Sequence, residues 1–586
     1  MRPLLNLLLF VCINSNCTGQ QFQLNEIIEH CIYPIGGINE FGGVHSVLPH
    51  KLKQLPNGNF IGVGSWQGDS IGAKQNHGFI IQSGGDTIWT KDAYIIITDM
   101  NFIPRKANIF GGIPGSISGT PYDDGGAVFH DCFPQKDGGY VLFGSSQTQS
   151  GDFAGLNPYG FFFFKVDSNL QKVWCKGYSC LSQTVSGRSP IQTKDGGYLI
   201  AGINNGLCGD IPTFYDSSPF TYDNMAIKFD SNGNKLWAKV YGSSSGDNAG
   251  GIVEDKLGNI YLMITSGGRD HDLNVDNLGW NTAQQDDYIH DINILKMDSL
   301  GNKLWSRSYG TTKHDAGFII LFDSLTNRII VGGWTKGDDN MFSGQPCYDD
   351  QPGNGDAIVM SLDTSGNIIY FKRISGEKSE QIQNITILQN GNYLVDIYTS
   401  SKHGDFDGFI DYAAIGGSGQ SSNLVCIIDT GNNYILKHGW KNFKDETGGE
   451  TIESNDGYIY IREGIGQGYP SICNPDTSLP SRIVVKKYGI TPLTVADIKL
   501  TNAKIKVYPN PNDGSMQLEL DDEFVGLDKI TISLFSMEGK LMRQENKVSN
   551  KLILLDYKQM KTGNYLLRLK SHKLKNLTFK ISISNF

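Results

Sequence analysis

A segment of roughly 60 to 70 residues recurs along most of this chain of 586 residues. Every copy begins with a polar turn of Gly, Asn or Asp, followed by an aromatic or aliphatic residue. The turns lie at 57–60, 137–140, 195–198, 258–260, 327–329, 390–393 and 456–458. Because self-similarity at a fixed period means that one structural unit is repeated, the chain is restricted to a repeat architecture with seven units.

A second element in most copies is an apolar run that ends in Asp and leads through a short turn to an aromatic residue. It occupies 161–167 with Trp174, 226–230 with Trp237, 292–298 with Trp305, and 358–363 with Tyr370. We expect Gly233 and Gly301 to take positive φ in these turns, and the preceding Asp to bind backbone amides. The tryptophans are expected to pack between neighbouring units rather than to bind a ligand.

The spacing of extended runs predicts the fold. Each copy contains four short extended runs separated by turn residues, which predicts a four-stranded antiparallel sheet. Seven such sheets can close radially, so we predict an all-β fold with a seven-bladed β-propeller over residues 22–490. The last copy is one strand short, and residues 30–37 are similar to the missing strand. We therefore expect an N-terminal strand to complete the last blade and remove the open edges.

The N-terminus has the pattern of an export signal. Met1 and Arg2 precede the apolar run 4–13 and the polar run 14–21, so a signal peptide is predicted over residues 1–19, with lipidation at Cys17 as an alternative. No stretch is long enough to span a bilayer. Eight of the ten cysteines follow residue 19. In an exported protein they permit disulfides, including a Cys175–Cys180 bridge, or scattered buried thiols.

The repeat stops after Tyr488, and a linker over 491–504 leads to a different sequence pattern. Its motif residues, in order, are Tyr508, Pro509, Asn510, Pro511, Gly539, Gly563 and Tyr565. Their order resembles the C-terminal sorting domain of type IX secretion cargo in the Bacteroidota. The resemblance implies that residues 505–586 form a small Ig-like β-sandwich recognised by the type IX secretion machinery. The protein would then be secreted or displayed on the cell surface.

A ligand-binding face is predicted where long connections interrupt the repeat. These connections, which are expected to emerge on one face of the propeller, are 65–77, 145–159, 204–223, 266–291, 335–356 and 399–421. Candidate ligand-binding residues in and beside them are Asp210, Tyr222, Asp272, Trp280, Tyr288, Asp338 and Tyr348. Exposed rings can stack on the C–H faces of sugars while carboxylates accept from hydroxyls, although such rings can also pin loops to the scaffold.

The dipeptide Gly-Asp opens most of these connections, as in Gly68-Asp69, Gly151-Asp152, Gly209-Asp210, Gly337-Asp338 and Gly404-Asp405. One interpretation is a turn in which Gly takes a left-handed conformation and Asp caps amides. The other is calcium binding, for which Asp405, Asp407 and Asp411 are the best candidate ligands. Ca²⁺ is the only cofactor that the sequence suggests.

Charge and motifs limit the function classes. The formal net charge of −10 argues against nucleic acid and anionic membranes as partners. The chain lacks HExxH and Cys/His nucleophile patterns, and we assign no catalytic residue. We predict a secreted or cell-surface binding or adhesion module with a glycan or protein ligand. The alternative is a carbohydrate-active hydrolase that uses loop carboxylates.

Overall fold

A computed structural model describes the protein at residues 22–32, 46–67, 70–71, 74–75, 79–81, 87–89, 91–112, 126–146, 148, 150–156, 160–178, 186–204, 222–274, 289–344, 347–348, 354–399, 401, 403–406, 422–441, 450–454, 458–465, 482–492, 505–508, 515–520, 530–536, 541–548, 550–561, 563–570 and 577–583. The chain divides into two compact units, whose main parts are 26–488 and 489–586. We call them the N-terminal and C-terminal units.

The N-terminal unit is built from seven four-stranded antiparallel sheets, numbered here along the chain, with strands a to d in hydrogen-bonded order. Sheet 1 contains Ser46–Gln54, Phe60–Gln67, Lys91–Thr98 and Pro104–Phe110. Sheet 2 contains Ala127–Pro134, Tyr140–Ser146, Gly160–Val166 and Lys172–Tyr178. Sheet 3 contains Ser186–Gln192, Tyr198–Asn204, Asp223–Phe229 and Lys235–Tyr241. Sheet 4 contains Asp247–Glu254, Ile260–Ser266, Asp291–Met297 and Lys303–Tyr309.

The remaining three sheets follow the same plan. Sheet 5 contains Asp315–Asp323, Arg328–Thr335, Asp356–Leu362 and Ile368–Ile374. Sheet 6 contains Glu380–Ile387, Tyr393–Thr399, Ser422–Ile428 and Tyr434–Lys441. Sheet 7 contains Glu450–Glu453, Tyr458–Ile465 and Arg482–Pro492, and its strand d is the N-terminal strand Phe22–Ile32. Strand c of sheet 7 therefore runs two residues into the predicted linker.

Helical structure in the described residues is limited to four single 3-10 turns, at Gly151–Phe153, His271–Leu273, Asn340–Phe342 and Gly404–Phe406. Two short hairpins, Ser70–Ile71 with Lys74–Gln75 and Phe79–Ile81 with Thr87–Trp89, lie between strands b and c of sheet 1. The predicted all-β class is confirmed.

Apolar side chains of the N-terminal unit pack between neighbouring sheets. One cluster joins sheets 1 and 2 through residues such as Ile95 and Phe164. Equivalent clusters join sheets 2 and 3, 3 and 4, 4 and 5, and 5 and 6. Ile452 of sheet 7 packs against the cluster of sheet 1 that contains Phe60. The hydrophobic core is thus divided over the joints between sheets.

Turns between strands c and d explain the recurring Trp and Gly. Gly233 has a φ of 75°, and a Cβ at this position would lie 3.0 Å from the indole of Trp174 in the preceding sheet. The hydroxyl of Tyr178 donates to the Gly233 carbonyl at 2.5 Å. Trp237 covers Gly301 in the same way. Trp174, Trp237 and Trp305 therefore each pack against the turn of the next sheet, as the sequence suggested.

Turns between strands a and b explain the Asp-Gly-Gly motif. Asp195 accepts the backbone N–H of Gly197 at 2.9 Å and pairs with the Lys228 ammonium at 2.7 Å. Burial alone would raise the pKa of Asp195, but Lys228 and the other hydrogen bonds lower this pKa to about 2. Asp137 and Lys165 repeat the pair in sheet 2, at 2.8 Å. The Asp-Gly-Gly motif is structural, because its aspartate neutralises a buried lysine on strand c, Lys165 in sheet 2 and Lys228 in sheet 3.

The C-terminal unit contains two antiparallel sheets. One holds Ile505–Tyr508, Ser515–Leu520 and Leu552–Asp556, and the other holds Leu541–Lys547, Ile530–Ser536, Gly563–Lys570 and Leu577–Ile583. Both sheets contribute apolar residues to one cluster, for example Leu518 and Ile532. Strand Ser515–Leu520 alternates buried and half-buried residues, as expected for a strand with one apolar face.

The sorting-motif residues of this unit are only partly described. Tyr508 and Gly563 lie in strands. Tyr565 is 7% exposed and its hydroxyl donates to the Lys561 carbonyl at 2.6 Å. Pro509, Asn510, Pro511 and Gly539 lie outside the described residues.

One half of the suggested Cys175–Cys180 disulfide is described. Cys175 is a free thiol in strand d of sheet 2, and burial raises its pKa to about 12. Cys180, the other half of the suggested bridge, lies outside the described residues. Cys175 is therefore a half-buried thiol in this structure.

Candidate functional site

Long connections leave the sheets at a single end, which we call the loop end. In sheet 4, the last residue of strand b, Ser266, pairs with the first residues of strands a and c, Asp247 and Asp291. In sheet 5, Thr335 pairs with Asp315 and Asp356 in the same way. The connections from b to c and from d to the next sheet therefore start at this end, while tight turns such as 255–259 close the other end.

Single 3-10 turns begin the b-to-c connections of sheets 2, 4, 5 and 6, and each is bonded to the preceding sheet. Asp152 donates its N–H to the Gly111 carbonyl at 3.0 Å, and its carboxylate accepts the Gly111 N–H at 3.2 Å. Asp405 makes the same two bonds to Ser375, at 2.9 and 3.1 Å. These bonds support the turn interpretation of Gly-Asp, because the aspartate binds amides of a neighbouring sheet.

Left-handed backbone conformation occurs at the first residue of each 3-10 turn. The φ values are 58° at Gly151, 48° at His271, 47° at Asn340 and 77° at Gly404. In sheet 5 the turn is therefore not at Gly337-Asp338, as the sequence suggested, but at Asp339-Asn340. Asp339 accepts the Thr312 N–H at 2.9 Å. Asn tolerates positive φ and replaces Gly at this position.

The loop end also contains three pairs of buried carboxylates that sequence reasoning missed. They are Asp223 with Asp247, Asp291 with Asp315, and Asp356 with Glu380, and all six residues are at most 2% exposed. The first member begins strand c of one sheet, and the second begins strand a of the next. The two members are 24 positions apart in every pair, and this constant spacing is the signal that could have revealed them.

Carboxylates of the first two pairs face each other across a glycine. Asp223 Oδ1 and Asp247 Oδ2 lie within 2.7 Å of the point where a Cβ on Gly242 would stand. Asp291 Oδ1 and Asp315 Oδ2 lie within 2.8 Å of the equivalent point on Gly310. Burial raises the pKa of Asp247 to about 7 and that of Asp315 to about 6. Because two buried carboxylates on one side of a glycine repel when both are ionised, each pair favours a state with one proton.

A cation accompanies the third pair. The Arg373 guanidinium, 4% exposed, forms an ion pair with Asp356. It also donates to the Gly337 carbonyl at 3.2 Å and to Cys347 Sγ at 3.0 Å. Burial raises the pKa of Glu380 above its ordinary value. With all of these carboxyls buried, this row is a structural joint rather than an open catalytic site.

Four of the predicted ligand-binding residues are described, and all four lie at the loop end. Tyr222 is 39% exposed, Tyr348 is 47% exposed and Asp338 is exposed. Asp272 is half-buried, and its N–H donates to the Gly242 carbonyl at 3.1 Å. Asp210, Trp280 and Tyr288 lie outside the described residues.

An additional aromatic group at the loop end was not singled out as a binding site from the sequence. The rings of His290 and His314 lie 4.7 Å apart, and the His314 ring stacks on Trp334 at 5.0 Å and 22°. The Lys336 ammonium lies 5.4 Å from the Trp334 ring centroid. His290, His314 and Trp334 are half-buried. We call them the ring stack.

One of the three predicted calcium ligands lies in the described residues. Asp405 lies half-buried in a 3-10 turn, while Asp407 and Asp411 lie outside the described residues. In the part of the chain that the structure describes, no group of three or more His, Cys, Asp or Glu side chains could hold a metal ion.

Comparison with known proteins identifies the tail. Residues 506–584 match the family described as the secretion system C-terminal sorting domain. A search of curated proteins found no match. Within the described residues, no helix has the length and hydropathy needed to cross a bilayer.

Several solved structures match the chain at low sequence identity. A protein of unknown function from Dyadobacter fermentans has 10% identity over 80% of this chain and 99% of that one, with a TM-score of 0.34. Prolyl oligopeptidase B from Galerina marginata has 10% identity over 83% and 57%, with a TM-score of 0.37. A DUF4221 family member from Bacteroides vulgatus has 12% identity over 62% and 92%, with a TM-score of 0.30.

At these identities and TM-scores the structural likenesses carry no argument about function. The family match of the tail does support a conclusion, because it covers the motif residues on which the sequence resemblance rests. Residues 506–584 are thus a C-terminal sorting domain of the type IX secretion system, and the chain is a secreted or cell-surface protein.

Proposed function

We propose that the N-terminal unit is a seven-bladed β-propeller that binds an extracellular ligand at its loop end. Contacts between successive sheets support the ring. Strand a of sheet 1 contacts strand a of sheet 2 and also strand a of sheet 7. Gln389 of sheet 6 donates its side-chain amide to the Ser454 carbonyl beside sheet 7, at 2.7 Å. Each sheet thus meets the next, and the last meets the first.

A scaffold with one loop-bearing end is suited to binding. The 3-10 turns fix where the long connections start, since each turn is bonded to the preceding sheet. Rigid elements that present variable loops are the common arrangement in binding proteins. Where the structure describes the other end, consecutive strands are joined there by short turns, so we assign ligand binding to the loop end.

The chemistry of the loop end fits a glycan best. Tyr348 lies against Gly404 of the next sheet and keeps 47% of its surface exposed, so the side chain is packed on the scaffold while much of it is open to solvent. The ring stack adds further aromatic surface, and Asp338 supplies an exposed carboxylate. Rings that stack on sugars beside hydrogen-bond acceptors for hydroxyls are what glycan recognition requires. This combination is the observation that carries the proposal.

Binding can be tested with the full-length secreted protein on a glycan array, followed by affinity measurement for each hit. Tyr348→Ala and Trp334→Ala should weaken binding by about tenfold or more, as expected for loss of roughly 1.4 kcal/mol of stacking. Leu257→Ala is the control, because Leu257 is 87% exposed in a turn at the opposite end.

Two outcomes would contradict the binding proposal. Equal losses of affinity in the control and the loop-end variants would place the ligand elsewhere. Turnover of chromogenic glycosides by the same protein would favour the hydrolase alternative.

The tail is proposed to act as an Ig-like β-sandwich that the type IX machinery recognises. Its two sheets and their shared apolar cluster support this fold. Leu534→Asp, which would bury a charge in that cluster, should abolish export. Leu554→Asp, at a position 65% exposed, should not. Export of both variants to the same level would contradict the proposal.

A further inference from the structure

The buried carboxylate pairs lie beside the hydrogen bonds that link one sheet to the next. Asp247 donates its N–H to the Tyr222 carbonyl at 2.6 Å, and Tyr222 directly precedes Asp223. Asp315 bonds in the same way to His290 at 2.8 Å, and Glu380 to Gly355 at 2.7 Å. Each pair therefore sits at the point where strand a of one sheet is tied to strand c of the sheet before it.

The second member of each pair also accepts a hydrogen bond from the loop that precedes its strand. The carboxylate of Asp247 accepts the Ser243 N–H at 2.6 Å, and that of Asp315 accepts the Thr311 N–H at 2.6 Å. Glu380 accepts the Gly376 N–H at 2.9 Å. In all three pairs, the residue that donates the N–H lies four positions before the carboxylate residue that accepts it. The same carboxyl groups thus connect a sheet-to-sheet contact with the loop that leads into it.

We propose that the three carboxylate pairs are proton-dependent joints, which tighten the contacts among sheets 3 to 6 in mildly acidic medium and loosen the loop end as the pH rises. The proposal goes beyond ligand binding and does not depend on it.

The physical basis is the cost of two buried charges. With one proton in a pair, the protonated carboxyl can donate to its partner or stay neutral beside it, whereas two ionised carboxylates repel in a medium of low dielectric. The folded-state pKa values of Asp247 and Asp315, about 7 and about 6, lie above the ordinary 3.8. The stabilisation is therefore complete below about pH 4 and is lost as the pH rises through 6 and 7.

Neighbouring charges distinguish the three joints. Titratable or charged groups beside the joints include Arg269, Asp270, His271 and Asp272 at the first, Asp339, His290 and His314 at the second, and Arg373 and Asp405 at the third. Burial is the main cause that raises the pKa of Asp315, and the charge of Asp339 raises this pKa further. Arg373 neutralises Asp356. The pKa of Asp247, about 7, is raised further than that of Asp315, about 6, so the first joint gives the clearest test.

Thermal unfolding of the full-length protein at pH 5.5 and pH 8.5 tests the proposal. The melting temperature of the N-terminal unit should fall by several degrees between these values. Asp247→Asn keeps the shape of the side chain but removes the ionisation, so about a third of the fall should disappear. Asp338→Asn is the matched control, since Asp338 is exposed at the same end, and it should keep the whole fall.

The proposal would be overturned if the melting temperature of the wild-type protein did not fall between pH 5.5 and pH 8.5. It would also be overturned if the melting temperature fell equally in wild type and in Asp247→Asn. Hydrogen exchange of the wild-type protein gives a readout that does not depend on the variant folding. After correction for intrinsic rates, the Ser243 and Thr311 amides should lose protection between pH 5.5 and 8.5.

The Asn302 amide is the internal control for hydrogen exchange. It donates to Asp298 at 2.9 Å, and this hydrogen bond lowers the pKa of Asp298, so the Asn302 amide should keep its protection over the same range. Equal changes at Ser243, Thr311 and Asn302 would contradict proton-dependent joints.

Discussion

The glycines in the turns between strands c and d serve both the turn itself and the packing of one sheet on the next. Gly233 closes a turn with positive φ and also gives room to the indole of Trp174. Gly366 does the same beneath Trp305, with a φ of 81°. The recurring Trp and Gly therefore form one contact between neighbouring sheets, which is why they recur together.

Gly233→Ala should destabilise the N-terminal unit by about 2 kcal/mol or more, because the methyl group is placed in a left-handed conformation and against Trp174. Gly246→Ala is the matched control, since a Cβ there would meet nothing within 4 Å. Chemical denaturation followed by tryptophan fluorescence measures both. Equal stability of the two variants would contradict the packing described for Trp174.

Asp195→Asn should cost about 1 kcal/mol at pH 7, because the almost buried Lys228 loses its ionic partner while the exposed side of Asp195 is screened by solvent. The pKa of Asp195, about 2, lies below the ordinary 3.8. Its stabilisation is therefore present above about pH 4 and is lost as the pH falls towards 2. Denaturation at pH 7 and pH 3 should show a smaller difference from wild type at pH 3; a constant difference would refute the ion pair.

Strands and tight turns are the elements that the sequence predicted well, since both depend on short-range patterns. Strand d of sheet 4 and its Asp-x-x-Gly turn follow directly from residues 298–305. The carboxylate pairs could not be predicted in this way, because Asp223 and Asp247 meet only after two sheets pack. The turn at Asp339-Asn340 was missed because Asn, rather than Gly, supplies the positive φ.

The N-terminal strand Phe22–Ile32 is the element that supplies strand d of sheet 7. Its deletion should lower the melting temperature of the N-terminal unit by at least about 5 °C, because an edge strand and its hydrogen bonds are lost. A synthetic peptide of the same sequence should restore part of the loss, and a scrambled peptide should not. An unchanged melting temperature after the deletion would show that the N-terminal strand does not stabilise sheet 7.

At the scale of the whole molecule, the N-terminal unit is an array in which stability lies in the joints between sheets. Apolar clusters, Trp-on-Gly contacts and carboxylate pairs all bridge neighbouring sheets, whereas the longest connections gather at the loop end. This division lets the connections between strands b and c vary in sequence without loss of the scaffold. It also separates the proposed ligand-binding residues from the residues that repeat.

The proposed closed ring of seven sheets is the claim on which the rest of the account depends, and cryo-electron microscopy of the full-length protein tests it most directly. Views along the ring axis should show seven lobes around a central opening, with density for Phe22–Ile32 at the outer edge of the seventh sheet. A ring with six or eight lobes, or an open arc with a gap between sheets 1 and 7, would contradict it.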